Sequence, residues 1–499
     1  MLLAHDLGTT GNKASLHDDA GRLLAAVTES YPTHYGPNGV VEQDPESWWA
    51  AVCRATGRLL ETAGVGAAGI SAVGLSGQMM GAVFLDAAGE SVRPSLIWAD
   101  TRSGAQADRL AERVGVTAGY RVLGHRINPT YSLSKIMWVR ENQPELFDRT
   151  RKVCLAKDFV VARLTGVLAT DPSDASSTNA FDQFSGTWSA ELLAAADLPA
   201  TMFPDIVAST TVVGSVTADA ARATGLTAGT PVVMGGGDGP MAAVGAGVID
   251  DSDGAYVYLG SSSWVSVSAA EPLHDLPAMR TMTFDHVVPG RFVPTATMQA
   301  GGASLTWIAD LLAGDQDPGR FDRLISAAAG VEPAADDPFF LPHLLGERSP
   351  YWNPSARGAF VGLGRHHGPA QLTRAVLEGV AFNLATCIDA FREQGHPIDR
   401  VDAIGGGASS AVWLQMMADV WGAQVRRRSI VEEANSLGAA VTAGVGVGVL
   451  PDFSPARQLS EVVAEFTPDA AAHQHYRRRH ERFLAAYRDL EPWYDGKPE

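Results

Sequence analysis

Cysteine is scarce in this chain of 499 residues: Cys53, Cys154 and Cys387 are all there is, with no CxxC spacing. So sparse and odd a count argues against a disulfide framework or a structural zinc site. Basic residues are in deficit as well. Against 56 Asp and Glu stand 38 Lys and Arg, a net charge of −18. Such a surface repels phosphate backbones and anionic lipids, which argues against nucleic-acid or membrane partners. A nucleotide is still open to it through local backbone amides and a metal ion. Long apolar runs are missing too: none reaches the about 18 residues of a membrane span, and the stretch opening the chain is too short for a signal peptide. The chain therefore reads as soluble and cytoplasmic. With 46% hydrophobic and 19% charged residues it is globular, and its length calls for more than one core, with two domains the natural division.

The pattern along the chain is α/β. A strand over Leu2 to Asp6, a Gly/Thr loop, alternating residues from Asn12 to Leu16 and a turn at Asp18 to Gly21 predict a β-hairpin. Helical periodicity from Trp48 to Ala63 follows Asp44-Pro45, a helix-start signal, and Ile70 to Leu75 reads as a buried strand. Strand–turn–strand recurs at Gly254 to Leu259, Gly260 to Ser263 and Trp264 to Ser268, which points to a duplicated fold with one hairpin loop per half. The boundary is expected after the Gly/Ala-rich run ending at Gly247, giving domains 1–246 and 247–499. The basic stretch His473 to Arg488 reads as a solvated helix face.

Four loops at strand ends carry possible chemistry. In Asp6-Leu7-Gly8-Thr9-Thr10-Gly11-Asn12-Lys13, glycine lets the backbone turn around an anion and the threonines add donors; Asp6 is placed to hold a hydrated Mg²⁺. A plain hairpin turn has the same composition, and the Walker spacing is absent. In Gly235-Gly236-Gly237-Asp238-Gly239-Pro240 the carboxylate stands on a strand-to-helix turn. It reads equally as the base that takes a proton from an attacking hydroxyl or as a helix N-cap. Gly260-Ser261-Ser262 offers donors to a second set of phosphate oxygens, or is an ordinary serine turn. Gly405-Gly406-Gly407, before a helix from Val412 to Trp421, lets a flat ligand lie on the backbone, or serves close helix–sheet packing.

Two longer segments join these loops into a family pattern. Ser132-Leu133-Ser134-Lys135-Ile136-Met137-Trp138-Val139-Arg140-Glu141-Asn142 resembles the first signature of the FGGY carbohydrate kinases, and Gly358 to Leu363 continued by Leu372 to Glu378 resembles the second. The resemblance spans essentially the whole chain. It implies two ribonuclease H-like domains of the actin/hexokinase type, with ATP and a sugar in the cleft between them. It implies that Asp6, Thr9, Thr10 and Lys13 belong to one phosphate loop and Gly260, Ser261 and Ser262 to the other. Gly302 and Thr306 match nucleotide-contacting positions, Gly406 and Gly407 the adenosine motif, and Asp238 the catalytic base.

For the acceptor, Val41 to Pro45, Ser76 to Gly81 and Trp98 to Arg102 look most like the xylulose kinases of the family. The sugar-facing positions implied are Gln78, Met79, Met80, Trp98, Asp100, Arg102 and Gly239. Met80 stands where histidine is usual and Gly239 where asparagine is usual, while Trp98 to Ser103 also resembles the gluconate kinases. Xylulose is therefore the leading acceptor, with ribulose, a pentitol or gluconate as alternatives. A sugar sensor without turnover, or an actin- or chaperone-like ATP-binding protein, would keep the phosphate loops and need no base at Asp238. Many relatives are dimers, so a homodimer is open.

Overall fold

The computed structural model describes residues 1–313, 317, 319–334, 336–429 and 433–496. The elements that position the site are β1 (Leu2–Leu7), β2 (Gly11–His17), β3 (Leu23–Ser30), α1 (Pro45–Ala63), β4 (Ala72–Gly77), α2 (Ser132–Asn142), α3 (Ala156–Thr165), β5 (Val212–Ser215), β6 (Pro231–Val233), β7 (Gly236–Gly237) and α4 (Asp238–Gly245). They continue with β8 (Ala255–Leu259), β9 (Ser263–Val267), β10 (Met282–Asp285), β11 (Phe292–Met298), α5 (Gly302–Ala313), α6 (Pro369–Glu393), β12 (Arg400–Ile404), α7 (Ala411–Trp421), β13 (Gln424–Arg428), α8 (Ala434–Gly446), β14 (Val462–Phe466) and α9 (Ala470–Asp495).

Two seven-stranded sheets form the two lobes. The first runs β5-β6-β4-β1-β2-β3, with β7 also on β4; the second runs β10-β11-β9-β8-β12-β13-β14. In each a hairpin (β1–β2, β8–β9) sits beside a parallel strand (β4, β12), so the repeated strand–turn–strand pattern does mark equivalent positions in two sheets. Local chemistry sets the elements. The Asp44 side chain accepts from the Glu46 amide, Pro45 occupies the first turn, and Gly64 closes α1 at φ 64°. Trp48, Ala51, Val52, Ala55 and Leu59 then form its buried stripe. β1 and β4 are buried along almost their whole length, as central strands covered on both faces require.

Helices α4 and α8 pack on each other at the junction of the lobes, and α8 also lies on β1 and β4. Small residues make the contact. A Cβ at Gly245 would stand 1.9 Å from the Ala434 carbonyl oxygen, one at Gly438 2.1 Å from that of Met241, and one at Gly74 2.3 Å from that of Ala439. This gives the Gly/Ala run after Asp238 a packing reason.

The C-terminal helix departs from the sequence reading. Its His473 to Arg488 stretch is basic, yet Tyr476, Arg479, Phe483 and Tyr487 are buried against the second lobe. The Arg479 Nη2 donates to Glu378 Oε2 at 2.8 Å, and its guanidinium lies over the Phe339 ring. The charge run hides an aromatic stripe at helical spacing, so only the opposite face is solvated.

Candidate active site

Strand register brings the two acidic loops together. Asp6 of β1 pairs with Ser76 of β4, and Ser76 pairs with Gly236 of β7. Asp238 follows two residues later as the first residue of α4, whose N-cap is Gly237. The cap reading of Asp238 is therefore wrong: Gly237 is the cap residue, and the Asp238 Oδ1 accepts from the adjacent Gly239 amide at 2.8 Å. Ser76 Oγ donates to Asp6 Oδ1 at 2.8 Å, and Asn435 Nδ2, from the first turn of α8, at 3.4 Å.

Both carboxyls resist ionisation. Burial raises the Asp6 pKa above the ordinary carboxylate range, against the hydrogen bonds from Ser76 and Asn435 and the charge of Lys13, its register partner on β2. Asp238, although part of it reaches solvent, is pushed up to about 7, first by burial and then by the Asp6 charge. Two acidic oxygen donors that repel each other suit a hard divalent cation, whose charge favours both ionised forms.

The first phosphate-type loop is braced from outside. Gly8 N donates to Gly11 O at 3.0 Å, Gln43 Nε2 to Thr9 O at 2.6 Å, and Trp98 Nε1 to Thr9 Oγ1 at 2.9 Å. Thr10 is exposed. Across the junction, Tyr256 Oη on β8 donates to Gly239 O at 3.0 Å and receives Trp264 Nε1 at 2.9 Å.

In the second lobe the Gly260–Ser262 turn lies against the start of α5. Gly302 N donates to Gly260 O at 2.7 Å and Ala303 N to Ser261 O at 3.1 Å. A Cβ on Gly302 would stand 2.6 Å from that Gly260 oxygen, and Thr306 is exposed one turn on. Gly405, at φ 88°, presses on Leu259, while a Cβ at Gly406 would meet nothing within 4 Å. Gly407 packs on Leu259 and Trp413. The glycine run thus divides: Gly405 and Gly407 are needed for packing, and Gly406 leaves an open face.

Around the acceptor positions, Gln78 Nε2 donates to Gln43 Oε1 at 2.8 Å, while Gln78 Oε1 is buried with no partner among the described residues. Met80 holds φ 65°, a strained conformation for a residue with a Cβ. Its amide donates to Ser177 Oγ at 3.1 Å, and its carbonyl accepts from Lys135 Nζ at 2.9 Å. Lys135 is fully buried, and burial pulls its pKa down to about 7. The lysine of the first signature thus fixes the strained Met80 peptide in place. Met79, Met80 and half-buried Trp98 form an apolar cluster with Tyr131 and, from the second lobe, Met282, Phe284 and Trp352. A Cβ at Gly239 would lie 3.7 Å from Met79 Sδ, an ordinary contact, so the position has room for a side chain.

Asp100 and Arg102 are occupied with each other. Arg102 Nη2 donates to Asp100 Oδ2 at 2.6 Å and lies 2.9 Å from Glu42 Oε1, with its guanidinium over Trp138. Asp100 is fully buried and also accepts from Val41 N at 2.8 Å. These two brace the acceptor side from behind. Sequence reasoning missed Ser76, Asn435, Gln43 and the three apolar residues from the second lobe. Ser76 and Gln43 had a local signal, lying in the segments Ser76 to Gly81 and Val41 to Pro45 that resemble the family's acceptor side.

The model of the FGGY family of carbohydrate kinases, N-terminal domain, matches residues 1–245, and that of its C-terminal domain matches residues 255–447. The chain belongs to this family. This FGGY kinase is 36% identical over 495 residues to the xylulose kinase of Escherichia coli (strain K12), covering 99% of both chains. It is 29% identical over 509 residues to a gluconokinase of Bacillus subtilis (strain 168), covering 99% of this chain and 96% of the other. The crystal structure of xylulose kinase from Rhodospirillum rubrum matches it with a TM-score of 0.91 at 30% identity, covering 99% of each chain. The FGGY kinase accordingly has the two-domain α/β fold of the actin/hexokinase type that its sequence implied. Among its described residues no helix is long and apolar enough to cross a membrane.

Proposed function

We propose that this kinase transfers the γ-phosphoryl group of ATP to a terminal hydroxyl of D-xylulose, giving D-xylulose 5-phosphate and ADP in the cytoplasm. The observation that carries the reading is the Asp6–Asp238 pair at one row of strand ends, with Asp238 raised to about 7. A base titrating there is ionised enough at neutral pH to accept a proton and basic enough to hold it. As the sugar oxygen meets the γ-phosphorus in line, its proton passes to Asp238 and the phosphoanhydride bond to ADP breaks; the proton then leaves to water. Asp6 is the residue that would hold Mg²⁺, which supplies positive charge against the phosphate oxygens when bound. Thr9, Thr10 and Lys13 face the phosphates from one lobe, Gly260 to Ser262 from the other, with Gly302, Thr306, Gly406 and Gly407 on the nucleotide side.

The engaged state of Arg102 favours an uncharged ketose over gluconate. Its guanidinium already serves Asp100 and Glu42, so a substrate carboxylate would have to break a buried ion pair to reach it. ADP release measured against D-xylulose, D-ribulose, pentitols and gluconate tests the assignment. D-xylulose is expected to give the highest kcat/KM; equal rates with and without any sugar would contradict a kinase reading.

Two further outcomes follow from the geometry. The kcat/KM for the sugar should rise about tenfold per pH unit at acid pH and level off at or below about 7, since the Asp6–Asp238 pair must lose a proton to act and bound Mg²⁺ would favour its ionised forms. A profile flat from pH 5 to pH 9 would contradict it. Gly302→Ala should raise KM for ATP about tenfold, equivalent to about 1.4 kcal/mol, with KM for the sugar within twofold. The added Cβ must displace the Gly260 turn, and initial rates at varied ATP measure it.

A further inference from the structure

A cavity of about 370 Å³ lies where the chain crosses between the lobes. Its walls come from three sources: the crossover after α4 (Gly247, Asp253), the crossover from α8 to β14 (Arg457), and the second-lobe strands β12 and β13 (Arg400, Arg426, Arg428). Four guanidinium groups in one cavity stand out in a chain carrying 38 basic and 56 acidic residues.

Their partners do not exhaust them. Arg426 Nε and Nη2 take both oxygens of Asp402, at 2.6 and 2.7 Å, and Arg428 Nη2 shares Asp402 Oδ2 at 2.6 Å. One carboxylate therefore serves two arginines. Arg457 is held by Asp253 (Nε to Oδ1, 2.6 Å) and by Asp250. Arg400 Nη2 donates to the carbonyl oxygens of Asp253 at 2.6 Å and Ser252 at 3.1 Å, and is in no ion pair among the described residues. Four cations thus face three aspartates, with Glu461 exposed at the rim. Arg428 is only 6% exposed, and its Nε, like that of Arg400, is buried without a hydrogen-bond partner among the described residues.

A buried guanidinium N–H left unpaired beside an open cavity calls for an acceptor. The forked donors of arginine match phosphate oxygens, and the volume falls in the small-molecule range. We propose that this cavity binds a phosphorylated metabolite of about sugar-phosphate size, at a site separate from the Asp6–Asp238 cleft. Phosphate oxygens would pair with the guanidinium groups that line the cavity, those of Arg400, Arg426, Arg428 and Arg457. A ligand seated there touches both crossovers and the second sheet at once.

Glucose 6-phosphate serves as the probe, with glucose as its uncharged control. Binding is followed by calorimetry on the full chain at 0.15 M salt, with a non-hydrolysable ATP analogue and Mg²⁺ saturating the catalytic cleft. One site with Kd below 1 mM is expected for glucose 6-phosphate and none for glucose. Arg400→Gln and Arg426→Gln should each weaken binding at least tenfold, while turnover of ATP and D-xylulose without the probe stays within twofold. Glu461→Gln, on the exposed rim, removes a repelling charge without touching the core and should tighten binding about threefold. The proposal is overturned if no heat is detected up to 10 mM probe, if glucose binds as well, or if the three variants bind as the parent does. None of the binding results depends on which sugar the enzyme phosphorylates.

Discussion

Replacing Asp238 by Asn is expected to lower kcat by about 10³-fold and, in the same protein, to raise the stability of the ligand-free chain. The two effects share a cause. Asp238 is raised to about 7 by burial and by the Asp6 charge, while the unfolded chain has an ordinary carboxyl, near 3.9. Between those values the folded state holds a proton that the unfolded state has lost, so this group's contribution to stability falls as pH climbs through the window. The amide carries no charge at any pH and removes that slope. Because the side chain is partly in contact with solvent, the gain at pH 8 is discounted to about 1–2 kcal/mol. That is a rise of roughly 2–8 °C in melting temperature for a lobe of this size, and almost nothing at pH 5. Calorimetry at both pH values, with chelator present, measures it. An activity loss accompanied by equal destabilisation at both pH values would mean that Asp238 is a structural residue.

Replacing Lys157 by Met should produce the largest stability loss in the first lobe. Lys157 opens α3 and is fully buried, with Asp158 at 2.8 Å, Asp171 at 3.2 Å and Asp174 at 3.4 Å. Burial pulls its pKa down, but the three carboxylates outweigh burial and keep it above the usual lysine value. Burial in turn lifts Asp158 and Asp174 above the ordinary carboxylate range. Without the ammonium, three buried acids face one another, at a loss of about 3–5 kcal/mol, or roughly 6–20 °C. The loss should shrink at pH 5, where the acids take up protons. It should also reach the site: Asp171 Oδ2 accepts Ser173 Oγ at 2.5 Å, and Ser173 Oγ accepts the Gly237 amide at 3.0 Å, next to Asp238. An unchanged melting temperature at pH 8 would show the cluster to be neutral packing.

What the sequence revealed was local. Loops at strand ends, helix starts such as Asp44-Pro45, and the two hairpins are written in contiguous residues, and the structure has them where the pattern predicts. Hidden were the contacts between residues far apart in the chain. Asn435 reaches Asp6 over a separation of 429 residues and belongs to no motif. Met282, Phe284 and Trp352 join the Met79–Met80 cluster from the other lobe, and apolar residues in a strand and a loop say nothing about which cluster they join. Asp100 and Arg102 look free in a short polar segment, and only the fold brings Glu42 to them. Lys157-Asp158 did carry a signal, a charged pair within a mostly apolar helix, but its partners arrive from a separate turn. The choice between base and cap at Asp238 was undecidable from spacing, since both need an acid at a strand-to-helix turn. Gly237 as the actual cap residue removes the cap reading.

The most direct test of phosphoryl transfer through Asp238 is phosphorus NMR of ATP, Mg²⁺ and D-xylulose with the parent enzyme and with Asp238→Asn. A phosphomonoester signal growing in step with ADP, one for one, and suppressed about 10³-fold by the substitution is the predicted result. Inorganic phosphate released at the same rate with and without the sugar, or a monoester formed undiminished by Asp238→Asn, would contradict it.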